Sequence, residues 1–121
     1  MRPHMIGYQP QLPELTPGLI QEIVRRVVAT ARPEKIVLFG SRARGDQRPD
    51  SDIDLLVIQK SNVVRHRRAA PIYHALTGLP VDVDVEVIVY TPAEAADWAQ
   101  VPQAFVTTAL REGRVLYENA A

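Results

Sequence analysis

The chain has 121 residues, of which 46% are apolar and 23% charged, and its 14 basic residues balance 14 acidic ones. Zero net charge argues against a protein that lives on long nucleic acid, since such proteins usually carry a basic face. The lack of cysteine excludes a disulfide framework and a thiolate metal site. No apolar run approaches the roughly 20 residues of a membrane span, and residues 1–13 lack the apolar core of a secretory signal. We therefore expect a cytoplasmic protein with a loose lead-in over residues 1–15 and a single domain over residues 16–121.

The first half of the chain predicts a helix and two strands around a short turn. The predicted elements are a helix over residues 16–31, a strand over 36–39, a short helical turn over 42–45 and a strand over 52–58. Thr16 followed by Pro17 is typical of a helix start. Ser41 is expected to cap the short turn that follows Gly40.

The second half predicts a long alternating strand between helices. The elements are a helix from about residue 61 to 76, a strand over 81–90, a short helix from residue 91, a helix over 102–112 and a short strand over 114–117. Pro71 is expected to break or kink the first of these helices. Thr91 and Glu94 form a capping-box pattern. The short connections favour an α+β fold of α/β two-layer type, with one sheet covered by helices.

The first chemical motif joins the end of one predicted strand to the start of the next. Gly40 and Ser41 offer a close backbone approach, free N–H groups and a hydroxyl, which suit a phosphate. Asp52 and Asp54 point the same way from a strand and can lean together over Mg²⁺. Taken alone, each feature is better explained as an ordinary turn or as solvated acids.

A second acidic group lies on the predicted strand over residues 81–90. Asp82, Asp84 and Glu86 share one strand face, while the other face is all valine and is expected to be buried. Three acids on one face repel each other, so a metal ion or arginines would be favoured beside them. An exposed sheet face remains the alternative.

Together the motifs resemble the DNA polymerase beta-like nucleotidyltransferase superfamily, and in particular its smallest members, the minimal nucleotidyltransferases. In that family Gly-Ser is followed by ten residues and then Asp-x-Asp, and residues 42–51 fill this gap here. The resemblance extends over residues 16–118 and includes Thr91–Glu94 and Glu112–Tyr117. It implies the nucleotidyltransferase fold, with a mixed sheet of three to four strands, and Mg²⁺-dependent transfer of a nucleotide from ATP or another NTP.

The resemblance also implies roles for individual residues. Asp52, Asp54 and a third acid would be catalytic and would hold the metal, and counting back from the Thr-Pro turn gives Glu86 as the third acid, with Asp84 as the second choice. Gly40 and Ser41, helped by the nearby Arg42 and Arg44, would hold the triphosphate. Which NTP is used is left open.

The acceptor is implied only through the family. Minimal nucleotidyltransferases of this type resemble antitoxins encoded beside a small helical HEPN-domain toxin, and the implied reaction is transfer of AMP to a tyrosine of that toxin. Two alternatives stay open: a non-catalytic module that neutralises a toxin by binding alone, and an enzyme that adds nucleotides to RNA ends. The oligomeric state, including a homo-oligomer, is also left open.

Overall fold

The fold is a four-stranded mixed sheet with helices on both faces, as seen in a computed structural model of the chain. The structure describes residues 15–48, 50–80 and 84–119. The strands are β1 (Lys35–Phe39), β2 (Ile53–Ile58), β3 (Val85–Tyr90) and β4 (Arg114–Glu118). The helices are α1 (Pro17–Ala31), α2 (Ser41–Arg44), α3 (Ala70–Ala75), α4 (Pro92–Trp98) and α5 (Phe105–Glu112), with a 3-10 turn at Arg65–Arg67.

The sheet order is β3-β2-β1-β4, and this order confirms the predicted mixed sheet and fold class. Strand β1 pairs antiparallel with both β2 and β4, whereas β2 and β3 run parallel. The parallel pair is joined through α3, which supplies the crossover that two parallel strands require. The C-terminal end of β1 therefore meets the N-terminal ends of β2 and β3 at one end of the sheet.

Two apolar clusters hold the sheet between its helices. On one face, α1 and α3 pack onto a core that includes Ile36, Leu55 and Val87. On the other face, α5 packs Val106 and Ala109 against residues of β1 and β2. At the end of that face where the acids of β2 and β3 lie, Asp54 is partly buried and Glu86 is exposed.

Most predicted elements are confirmed, with differences at their ends. Helix α1 starts as expected, since Thr16 accepts a hydrogen bond from the Leu19 backbone N–H at 3.2 Å. The helix predicted from residue 61 is wrong in its first half: residues 61–64 are not helical and a 3-10 turn follows at Arg65–Arg67. Pro71 lies in the first turn of α3 instead of kinking a longer helix. Likewise α5 starts at Phe105 rather than at residue 102, because the backbone of Ala104 is still extended.

Some predictions fall on residues outside the described ranges. The lead-in over residues 1–14 and the start of the predicted strand at 81–83, including Asp82, lie there. None of the helices in the described ranges has the length and apolar character needed to cross a bilayer.

The ion pair between Arg68 and Glu94 stabilises the end of the sheet opposite to Asp54 and Glu86. Arg68 donates to both carboxylate oxygens of Glu94, at 2.6 and 3.1 Å, and Glu94 also closes the predicted capping box with Thr91. These bonds, chiefly the two from Arg68, lower the pKa of Glu94 to about 2. The Arg68 side chain is only 8% exposed, so the pair ties the segment after β2 to the start of α4.

We expect Glu94→Gln to lower the free energy of unfolding at neutral pH by about 1–2 kcal/mol, a modest loss because the Glu94 side chain is 36% exposed and screened. A lowered pKa stabilises the fold above the ordinary value of 4.5, and this contribution is lost as the pH falls through about 2. Urea unfolding between pH 7 and pH 2 measures both effects. Asp97→Asn, on the same helix, is the control. If Glu94→Gln loses as much stability as the wild-type chain when the pH falls from 4.5 to about 2, the role given to the Glu94 carboxylate is contradicted.

Candidate active site

The predicted site residues of three strand ends meet on one face of the sheet. Phe39, the last residue of β1, lies opposite Asp54, and Asp54 lies beside Glu86 in the parallel register. Gly40 follows directly after β1. The sheet therefore brings the Gly-Ser turn, the Asp-x-Asp motif and the acid of β3 to the same place, as their joint interpretation requires.

Gly40 allows the turn and the acid to approach closely. Its backbone has φ +77° and ψ −157°, a combination that is essentially restricted to glycine. A Cβ built on Gly40 would run into the Asp54 carboxylate, so that carboxylate lies against the glycine backbone. The position thus needs glycine for its conformation and also for its lack of a side chain.

Ser41 lies at the start of α2 but not in the predicted role. Gly40 is the N-cap and makes no side-chain bond, and Ser41 is the first residue of the helix, so the prediction that Ser41 caps it is wrong. Within the described ranges, no hydrogen bond is formed by the Ser41 hydroxyl. This hydroxyl is therefore free to contact a ligand, beside the first N–H groups of α2, which have no acceptor within the helix.

Asp54 has more acidic than basic side chains close enough to affect its pKa. Its partial burial, together with the charges of Glu86 and Asp52, raises the pKa of the Asp54 carboxyl, and Arg44 opposes this only in part. A carboxylate held among other acids is stabilised by any cation that binds beside it. The site therefore has the electrostatics of a cation site.

Asp52 and Asp84 flank this centre. Each lies one residue before its strand and is exposed. The strand starts are held together because the Ile53 backbone N–H donates to the Asp84 carbonyl at 2.9 Å. Of the described acids, Glu86 and Asp52 raise the pKa of Asp54, and Asp84 is not among the causes. The position of Glu86 thus favours it over Asp84 as the third acid, and the choice stays a prediction.

The two arginines of the motif turn have different surroundings. Arg42 donates from Nε and Nη2 to the Ser51 carbonyl, at 3.1 and 3.0 Å, so its guanidinium holds the loop that leads into β2. Among the described residues, the one ion pair that Arg44 makes is an exposed contact with Asp46, at 3.4 Å. Arg44 is therefore the freer of the two to contact a phosphate, while Arg42 is already engaged in positioning.

The donor set fits Mg²⁺ as part of a nucleotide complex. Nowhere in the described ranges do three His, Cys, Asp or Glu side chains gather as a metal site. Protein Mg²⁺ sites of this kind use one or two carboxylates together with substrate phosphates and water, so a complete protein cage is not needed. Asp54 beside Glu86, with Asp52 close enough to raise the pKa of Asp54, meets that requirement.

A cleft that the sequence did not predict opens beside Gly40. It has a volume of about 420 Å³ and lies between α2 and α5. Its lining residues are Phe39, Gly40, Ala43, Arg44, Gln103, Phe105, Thr108, Ala109, Glu112 and Gly113. They come from segments some 60 residues apart in sequence, and no local motif signals such a set.

Comparison with known proteins decides the family. Residues 20–115, most of the chain, match the model of the nucleotidyltransferase domain. The chain belongs to this family. Its resemblance to polymerase beta-like nucleotidyltransferases is thereby confirmed at the level of the domain.

Two solved structures agree with this nucleotidyltransferase fold. A nucleotidyltransferase described as putative, from Sulfolobus solfataricus, is 31% identical with a TM-score of 0.52, over 66% of this chain and 70% of that one. A toxin–antitoxin crystallised with AMP-PNP is 25% identical with a TM-score of 0.52, over 84% of this chain and 74% of that one. No curated protein gives a match.

We expect Glu86→Gln to abolish most nucleotidyl transfer and Asp84→Asn to leave most of it. Glu86 lies beside Asp54 in the register, whereas Asp84 precedes the strand and contributes its backbone carbonyl, which the substitution keeps. Loss of one preorganised charge at a reacting centre costs about 10²–10³-fold in rate. Initial rates with labelled ATP measure both variants. A dead Asp84→Asn beside an active Glu86→Gln would reverse the assignment.

Proposed function

We propose that this nucleotidyltransferase transfers AMP from ATP to a hydroxyl acceptor, a tyrosine of a partner HEPN toxin, and acts as the antitoxin of that pair. One observation carries the catalytic part: the Asp54 carboxylate lies against Gly40 at the start of α2, with Glu86 in register beside it. At one end of the sheet, a turn suited to bind an anion thus lies next to a pair of acids suited to bind a cation.

Different residues of the chain are assigned to the two terminal phosphates and to the α-phosphate. The Ser41 hydroxyl and the first N–H groups of α2 bind the β- and γ-phosphates, assisted by Arg44. Asp52 and Asp54 would hold the metal at the α-phosphate. Glu86 contributes to the same site and accepts the proton of the acceptor hydroxyl.

The bond changes follow from this placement. The acceptor oxygen attacks the α-phosphorus in line, the bond to the bridging oxygen breaks, and pyrophosphate leaves on the side of Ser41. Mg²⁺, when bound by the acids, supplies charge neutralisation for the phosphates and the leaving group. Catalysis is thus mainly positioning and electrostatic stabilisation.

The partner proposal is supported by likeness. A toxin–antitoxin complex crystallised with AMP-PNP shares this fold at 25% identity. The zero net charge of the chain disfavours long nucleic acid as the acceptor. A tyrosine of a folded partner can serve as the acceptor, because the partner itself presents that side chain to the active site.

The test is transfer of label to the partner. The protein is incubated with ATP labelled at the α-phosphate, Mg²⁺ and the helical protein encoded by the adjacent gene, and modified tyrosine is identified by mass spectrometry. We expect label on a partner tyrosine with the wild-type chain and none with Asp52→Asn/Asp54→Asn. Absence of label with the wild-type chain, under conditions in which it binds ATP, would remove the proposed acceptor.

A growth assay separates catalysis from binding. Catalytic neutralisation predicts that the double variant fails to protect cells that express the toxin, although it still binds the toxin. Full protection by the double variant would show that complex formation alone suffices.

A further inference from the structure

We propose that Ser51, held by Arg42, is a positioning residue that fixes Asp52 for metal binding and ties it to the turn that binds the triphosphate. The inference rests on the proposed function, because it assigns a role within the same site. It goes beyond the motif residues, since Ser51 belongs neither to the Gly-Ser pair nor to the Asp-x-Asp pair and acts only through its neighbour.

Asp52 has no contact of its own that would fix it. It is exposed and lies one residue before β2, and within the described ranges its side chain forms no hydrogen bond or ion pair. Ordering a free side chain on a metal ion costs conformational entropy. A site that uses Asp52 therefore gains from a backbone that is already held in place.

All three polar groups of Ser51, the residue before Asp52, are hydrogen-bonded. Its carbonyl accepts from Arg42 Nε and Nη2, at 3.1 and 3.0 Å. Its backbone N–H donates to the Arg48 carbonyl at 3.0 Å, and its hydroxyl accepts from the Arg48 backbone N–H at 2.8 Å. The backbone of Ser51 is thus held at both its N–H and its carbonyl, and the position from which Asp52 starts is fixed with it.

Ile53 fixes the other side of Asp52. Its backbone N–H donates to the Asp84 carbonyl at 2.9 Å, and its side chain is 1% exposed in the core. Asp52 therefore stands between two anchored residues, so the range of positions open to its carboxylate is small. That range lies close to Asp54, since the charge of Asp52 helps to raise the pKa of Asp54.

Arg42 connects this loop to the turn that is assigned to the triphosphate. It is the second residue of α2 and directly follows Ser41. A guanidinium has a rigid set of N–H donors, and two of them on one carbonyl oxygen fix the direction of the contact as well as its length. The separation between Ser41 and Asp52 is therefore restrained by this one side chain. Residues that orient a metal ligand in this way tune the metal site without touching the metal.

The kinetic test removes the donors of Arg42. Arg42→Met keeps an apolar stem, and we expect kcat to fall by about 10–100-fold, with a higher Mg²⁺ concentration at half-maximal rate. The KM for ATP should change little, because Ser41, the N–H groups of α2 and Arg44 still hold the triphosphate. Arg42→Lys can offer a single donor and should lie between the two. Initial rates over a range of ATP and Mg²⁺ concentrations measure these quantities.

Two further measurements do not depend on turnover. Hydrogen exchange, followed by mass spectrometry on the chain without nucleotide or metal, should be faster over residues 51–54 in Arg42→Met than in the wild-type chain. Calorimetry without Mg²⁺ should show equal binding of inorganic tripolyphosphate to both. A direct contact between Arg42 and the triphosphate predicts the reverse pattern, namely weaker tripolyphosphate binding and unchanged exchange.

Variants of Ser51 test the same segment independently and keep the proposal testable if Arg42→Met does not fold. Ser51→Ala loses the bond to the Arg48 backbone and should raise the Mg²⁺ requirement, whereas Ser51→Thr keeps a hydroxyl and should restore it. Thr107→Ala is the matched control: it removes a bond of 2.7 Å from a side chain to the Trp98 carbonyl, in the connection between α4 and α5. It should change neither the Mg²⁺ requirement nor the exchange over residues 51–54.

The outcomes separate the two proposals. Wild-type exchange and Mg²⁺ dependence in Arg42→Met, or the pattern of a direct triphosphate contact, would overturn the positioning role and leave the proposed function standing. Failure of the wild-type chain to bind ATP with Mg²⁺ would overturn the proposed function, and the positioning role with it.

Discussion

Asp54→Asn is expected to abolish nucleotidyl transfer, by at least about 10²–10³-fold, without destabilising the fold. Asp54 is the acid on which the site converges: it lies against Gly40, beside Glu86, and within the influence of Asp52 and Arg44. Asparagine keeps the shape of the side chain and removes its charge. The loss therefore falls on metal binding and on charge stabilisation at the reacting phosphate.

The same substitution is expected to raise thermal stability slightly at neutral pH. Burial and the neighbouring acids raise the pKa of Asp54 above its ordinary value of 3.8, so the ionised carboxylate disfavours the folded state. A raised carboxyl pKa contributes stability only below the ordinary value, and that contribution is lost as the pH rises through the folded value. The advantage of Asp54→Asn should therefore be present at pH 7 and fade as the pH falls towards 3.8.

Transfer rates and thermal unfolding from pH 3 to pH 8 measure both effects. Asp97→Asn, an exposed acid on α4, is the matched control and should change neither quantity. Mg²⁺ with ATP should stabilise the wild-type chain more than Asp54→Asn. Full activity of Asp54→Asn would mean that the metal-binding assignment is wrong.

Gly40→Ala is expected to damage both stability and activity. The φ of +77° with ψ −157° costs a non-glycine residue about 1–3 kcal/mol. The added methyl group also collides with the Asp54 carboxylate, and either the turn or the acid must move. Since a displacement of about 1 Å can cost about 10²-fold in rate, we expect at least that loss of transfer.

Gly18→Ala is the matched control for this change. Gly18 lies in the first turn of α1, and a Cβ there would meet only the Thr16 hydroxyl at an ordinary 3.7 Å. Alanine favours the helix, so this variant should be more stable by about 0.4–1 kcal/mol and fully active. Chemical denaturation and transfer assays compare the two variants. Equal behaviour of Gly40→Ala and Gly18→Ala would contradict the close approach at the active site.

The sequence by itself determined the order of elements and the chemical classes of the site. Alternation of valine and acid predicted the faces of β3, and the buried Val87 and exposed Glu86 confirm them. Thr16 and Thr91 predicted the starts of α1 and α4 through caps that involve only a few neighbouring residues. Such features are visible in the sequence because the interactions that form them are local.

Only the tertiary structure decided which of these groups meet. The register of β2 with β3 places Glu86 and not Asp84 beside Asp54, and the bond to the Ser51 carbonyl engages Arg42 while leaving Arg44 freer. The cleft lies between α2 and α5, which are far apart in the sequence. Strand pairing and packing between distant segments carry no local periodicity, so the spacing of residues within one segment cannot specify them.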